Sequence, residues 1–184
     1  MDFDTVVRAR RSIRSYTDQD VPDAVISKLL AYGHAAPSGG NLHPWEFVVV
    51  RDEANRRAMV ETTFRGNQEN LAAHQDWLMQ APVLIAVVVN KAKSAARYGA
   101  KALKTLVYLD SSACIENILL GAVNLGLASC YISGFHEERL REVLALPESH
   151  EAVAFLPIGY GAEEGRARPK TPLAEVTHRE RYGG

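Results

Sequence analysis

Residues 10–16 read Arg-Arg-Ser-Ile-Arg-Ser-Tyr, three guanidiniums and two hydroxyls with Ile13 and Tyr16 interleaved. Guanidinium forks bind phosphate in two-pronged fashion and stay charged at any working pH, so Arg10, Arg11, Ser12 and Arg14 form a candidate anion site at a helix terminus. Taken alone the heptapeptide is equally an ordinary basic patch or a nucleic-acid arm. A second stretch, residues 36–50, runs Ala-Pro-Ser-Gly-Gly-Asn-Leu-His-Pro-Trp-Glu-Phe-Val-Val-Val, a loop of small residues that feeds a β-branched strand. Small residues allow close backbone approach, and the Asn41 amide can serve both donors and acceptors.

The pairing of Arg-Arg-Ser-x-Arg-x-Tyr with Ala-Pro-Ser-Gly-Gly-Asn-x-x-Pro-Trp-x-Phe closely resembles the nitroreductase-like flavoproteins. The resemblance continues through Gly-Leu-Ala-Ser-Cys-Tyr-Ile-Ser-Gly-Phe at 126–135, Leu-Pro-Ile-Gly-Tyr-Gly at 156–161 and Arg-Pro-Lys-Thr-Pro at 168–172, so it covers almost the whole chain. It implies an α+β fold, a three-layer α/β/α sandwich with a mixed central sheet flanked by helices, interlocked as a homodimer with FMN across the interface. Arg10, Arg11 and Ser12 would hold phosphate and ribityl oxygens, and Arg14 the pyrimidine edge of the flavin. A fixed guanidinium there stabilises the negative charge that two-electron reduction leaves. Pro37, Ser38, Gly39 and Asn41 would come from the partner subunit. Gly134, on its own a turn glycine after a strand, would present its amide to flavin N5, with Ser133 beside it. Arg168 and Lys170 would complete the phosphate shell, in reversed order from the Lys-then-Arg more usual in the family. His43 stands where glutamine is common, and Ser133 where some members carry glutamate; both bear on redox tuning.

That resemblance implies an oxidoreductase that takes hydride from NADH or NADPH and reduces nitroaromatics, quinones or similar flat small-molecule acceptors by a ping-pong cycle, the flavin carrying the chemistry. A flavin storage or sensor protein remains the alternative, as do dehalogenation, ene reduction and flavin fragmentation on the same scaffold. Phe64, Trp45 and Tyr98 either wall the site or pack the core and dimer.

The elements that must position these residues alternate. Asp2 caps a first helix ending at the arginines, and Pro22 opens a second with an apolar stripe of Val25, Ile26, Leu29 and Leu30, closed by Pro37. A strand is expected over 47–50, a helix from Asp52 to about Phe64, another over 71–79, and a strand covered on both faces over 83–89. The lysine- and alanine-rich 91–104 reads as a partly mobile helix or lid. A long apolar helix over 105–125 follows, then a strand at 127–132, a helix at 137–146 and a last strand at 153–160. Leu106, Leu109, Ile115, Leu119, Leu120 and Val123 surround the long helix with apolar surface, which suggests an oligomer.

With 184 residues, 47% of them hydrophobic, the chain is expected to form one domain over 1–184. A net charge of −1 speaks against bulk nucleic-acid binding. The acidic start, without the pattern of a secretory signal, points to a cytoplasmic protein. Residues 117–135 carry no charged side chain, but Gly126 and scattered Asn and Ser break them into a buried helix and strand, so no membrane span is expected. Cys114 and Cys130 read as buried small hydrophobes, and the six histidines show no ligand spacing, so no metal is expected.

Overall fold

The computed structural model describes residues 1–65 and 74–183. Asp2 accepts the Thr5 amide at 3.0 Å and starts α1 (Phe3–Ala9), which stops one residue before the arginine cluster. Helix α2 (Asp23–His34) follows Pro22 and buries Ile26 and Leu29. After a single 3₁₀ turn at Gly39–Asn41 come β1 (Trp45–Val50), α3 (Glu53–Val60) and β2 (Val83–Asn90). The second half comprises α4 (Lys91–Tyr98), α5 (Val107–Asn124), β3 (Ala128–Ser129), α6 (Glu137–Val143) and β4 (His150–Gly159).

The strands order as β1-β2-β4-β3, every neighbouring pair antiparallel. Among the described residues the parallel component is one bridge, Ser12 beside Ser129 at the sheet edge. Along β2 the side chains alternate between two cores, as the pleat requires. Val83, Ile85 and Val87 pack with Leu29, Ile115 and Ile118 of α2 and α5. Leu84, Ala86 and Val88 pack with Met59, Leu78 and Leu140 on the other face. The result is the three-layer sandwich.

Two glycines bring α2 against α5. A Cβ on Gly33 would lie 2.6 Å from Ile118 Cγ1, and one on Gly121 would lie 2.5 Å from Tyr32 Cδ2. The apolar character of Ala102–Asn124, long enough by length and composition alone to cross a bilayer, is therefore in part that of a core helix. It is not buried all round in the single chain: Leu109 is 60% exposed.

Several elements are shorter than their sequence suggests. Helix α3 ends at Val60 instead of Phe64, because the Thr62 and Thr63 hydroxyls turn back to the Met59 and Val60 carbonyls and Thr63 then pairs with Phe135. The helix expected over 71–79 falls partly outside the described residues, and its described end is a 3₁₀ turn at Asp76–Gln80. The strand expected over 127–132 pairs regularly only at β3, with Ile132 returning to Phe155 as an isolated bridge. Helix α6 stops at Val143, where Ala145 takes φ 51. The segment 91–104 is α4, a break at Gly99 (φ 61) and the start of a π turn, Ala102–Leu106, that runs into α5.

Candidate functional site

The arginine segment leaves α1 as an extended edge fixed from its backbone. Ile13 N donates to Ser129 O at 3.0 Å, and Arg14 N donates to Glu163 Oε1 at 2.8 Å. Tyr16 is buried, its hydroxyl donating to Ile13 O at 2.8 Å. Burial pushes its phenol well above the ordinary range, so it stays a neutral donor. With Ile13 and Tyr16 turned inward, Ser12 and Arg14 face outward.

The guanidiniums divide. Arg14 lies over the Trp77 ring at 5.9 Å, and its side chain makes only a 3.4 Å contact to Ser12 O among the described residues. Arg10 pairs loosely with Glu116 of α5 at 3.5 Å. Arg11 turns back onto its own helix end, donating to Arg8 O and Arg10 O at 2.6 and 2.7 Å. The residues after β4 return to this edge: Ala162 N donates to Ser15 O at 3.0 Å, and Gly165 packs on Ile13 and Arg11. From there an exposed tail carries Arg168 and Lys170, neither in an ion pair among the described residues. Beneath the edge, burial holds the Cys130 thiol above its ordinary pKa, with the Arg14 charge pulling the other way. Cys114, buried against Gly33, is pushed up to about 12 by burial alone.

The glycine loop sits elsewhere. Gly39 N donates to both Asp110 carboxylate oxygens, at 3.1 and 3.2 Å, and Ser38 Oγ accepts the His43 amide at 2.9 Å. Gly40, Asn41 and His43 take φ of 59, 58 and 45, so the loop is a tight left-handed turn with Pro37 and Asn41 exposed. His43 is a packing residue, its ring 5.1 Å from His34 and 5.6 Å from Trp45. Trp45 is itself buried.

Gly134 forms a third group. Its carbonyl accepts the Phe64 amide at 3.0 Å, while Gln75 Nε2 donates to Phe64 O at 3.1 Å. A Cβ on Gly134 would stand 3.3 Å from Phe64 O, and its own N–H has no acceptor among the described residues. Ser133 beside it is exposed. His136 opens α6 without capping it and lays its ring on Phe64 at 5.2 Å.

One chain thus brings residues 11–15 together with residues 162–165, while the glycine turn is tied to Asp110 and Gly134 to Phe64 and Gln75. Asp110, Glu163, Trp77 and Gln75 did not stand out as site residues in the sequence. A signal existed for one of them: Asp110 and Glu116 are the only charged residues in α5, and each grips a candidate segment. Among the described residues no group of His, Cys, Asp and Glu is arranged to hold a metal ion.

The sequence matches the Nitroreductase family model over residues 7–160. The chain belongs to that family. It is 33% identical to an NADH dehydrogenase of Thermus thermophilus, covering 96% of this chain and 95% of that one. It is 29% identical to iodotyrosine deiodinase of Hydra vulgaris, covering 95% and 71%. An FMN-dependent nitroreductase of Clostridium difficile superposes with a TM-score of 0.79 at 26% identity, covering 97% and 99%.

Proposed function

We propose that this protein is an FMN-dependent oxidoreductase that takes hydride from NADH or NADPH and reduces nitroaromatics, quinones or similar flat acceptors in a ping-pong cycle. The observation that carries this reading is the edge 10–16, whose backbone is anchored at Ile13, Arg14 and Tyr16 while Ser12 and Arg14 are left pointing outward. Such a pre-ordered donor set binds phosphate and ring oxygens with little ordering cost. FMN suits these residues, and when bound it supplies the two-electron chemistry that no side chain here can.

In this reading Arg10, Ser12, Arg168 and Lys170 hold the phosphate end, with Arg11 shaping the edge beside them. Arg14 holds the pyrimidine edge, and Gly134 and Ser133 border the ring from the sheet side. Pro37, Ser38, Gly39 and Asn41 reach a site of the partner subunit in a homodimer. Helix α5 supports that division: Glu116 faces Arg10 and Asp110 faces Gly39, and six helical residues separate them by about 9 Å along the axis and about 120° around it. One chain's phosphate donors and its own glycine turn therefore lie on different sides of α5. Exposed Phe3, Val7 and Leu109 supply apolar surface for the contact. We read the protein as cytoplasmic, with both cysteines free and buried.

Reductive dehalogenation is the second reading, favoured by the likeness to iodotyrosine deiodinase. The test is the visible absorption of the purified protein with FMN under anaerobic NADH or NADPH. Bleaching that reverses on adding a nitroaromatic or quinone supports the first reading, and reversal by an iodophenol alone supports the second. Flavin that binds but never bleaches makes the protein a flavin store or sensor, and absence of binding removes the site.

A further inference from the structure

From residue 91 to residue 106 the chain carries five cations and no acidic residue. Two of them are neutralised beside the sheet, Lys91 by Glu151 at 3.3 Å and Lys93 by Glu46 at 3.6 Å. Arg97, Lys101 and Lys104 pair with no carboxylate among the described residues.

Arg97, though exposed, is the one that lies against neighbouring residues. Its guanidinium carbon stands 5.5 Å from the centre of the Tyr98 ring. Both side chains close over the glycine turn: a Cβ on Gly40 would lie 2.8 Å from Arg97 Cζ and 2.8 Å from the Tyr98 hydroxyl oxygen. Tyr98 also flanks Gly39, 3.5 Å from where its Cβ would be. Asp110, beside the same turn, accepts the Gly39 N–H and makes no ion pair with Arg97. A structural arginine spends its five donors on carboxylates or carbonyls, as Arg51 does with Asp20, Asp23 and Val21 O. Arg97 donates to no protein group among the described residues.

We propose that Arg97, beside Tyr98 and above the Gly39–Asn41 turn, selects the acceptor by pairing with a carboxylate or similar anionic group on a flat aromatic ring. The proposal rests on the reading above, in which this turn borders the flavin. Contact with Tyr98 and the glycine turn places the guanidinium in advance, so hydrogen bonds from its fork to a carboxylate form at reduced entropic cost. The site stays open to water, which keeps the preference modest and lets neutral acceptors bind as well.

The test uses FMN-loaded oxidised protein and two ligands of one shape, 4-nitrobenzoate and 4-nitrobenzamide, with Kd read from the perturbed flavin spectrum. Wild type is expected to bind the carboxylate about fivefold more tightly, the size of one partly exposed ion pair. R97Q brings the two Kd values together by weakening only the nitrobenzoate complex, and R97K restores part of the difference. The FMN Kd of the flavin-free protein and the melting temperature stay unchanged in R97Q. Equal Kd values in wild type overturn the proposal. So does a loss shared by both ligands in R97Q, or weakened FMN or NADPH binding with nitrobenzoate spared. A wild-type protein that holds no FMN instead removes the functional reading itself, and Arg97's role with it.

Discussion

Arg14 divides its work between backbone and side chain. Its amide is tied to Glu163 and helps hold the edge straight, while its guanidinium rests on Trp77 with no carboxylate partner among the described residues. Removing the side chain therefore costs the fold little. Arg14→Ala is expected to weaken FMN binding about 10- to 100-fold, the range for losing hydrogen bonds from a charged donor. The melting temperature of the flavin-free protein should move by no more than a degree or two. Fluorescence titration with FMN beside a thermal melt checks both. Cys114 makes the contrasting case of a residue whose effect is on stability alone. Its folded pKa of about 12 lies above the ordinary 9.0, so above pH 9 the unfolded thiol ionises while the folded one keeps its proton. Stability is full below pH 9 and falls as pH rises toward 12, by up to about 1.4 kcal/mol per pH unit. Tyr16 adds to the same alkaline loss above its ordinary value of 10.0. Denaturant melts at pH 8 and pH 10 should show Cys114→Ala losing less over that interval than wild type, whatever its starting stability.

At the level of elements, the α2–α5 contact depends on what is missing from it. Gly121→Ala puts a methyl 2.5 Å from the Tyr32 ring, and overpacking of this kind costs about 1–3 kcal/mol. A lowered denaturation midpoint with an unchanged m-value is the expected readout. Elements specified by their own residues were legible in the sequence: β2 from its unbroken apolar run, α2 from its stripe, α1 and α3 from Asp2 and Asp52 at their caps. Elements decided by distant partners were not. The end of α3 is set by Thr63 meeting Phe135, and β3 shrinks to two residues because the chain beyond it pairs again only at Ile132. The site divides the same way. The arginine edge and the glycine turn announce themselves as compact strings of residues. The carboxylates that aim them, Asp110 and Glu163, lie about 70 and 150 residues away from their partners, and no local pattern links them.

For the whole molecule, the proposed homodimer would cover the exposed apolar surface on α1 and α5. The wild-type protein is expected to sediment as a dimer at low micromolar concentration. Leu109→Glu, at a side chain 60% exposed in one subunit, should shift it toward monomer and lose FMN in the same concentration range, because the partner's glycine turn leaves with the partner. Phe3→Asp, on the other exposed helix, provides the independent variant. A monomeric Leu109→Glu protein that keeps full FMN affinity would show that one chain completes its own site.

Helix α5 also works as a ruler. Asp110 holds the glycine turn and Glu116 lies against Arg10, so the separation of the two segments is counted out in helical residues. Inserting or deleting one residue between them turns one grip against the other by about 100° and shifts it by about 1.5 Å. Length can change without that penalty just upstream, where Gly99 has open space around it and a π turn already accommodates irregular winding. Loops grafted or lengthened to give the protein a new substrate range therefore belong between α4 and α5, and the stretch from 110 to 116 must keep its length.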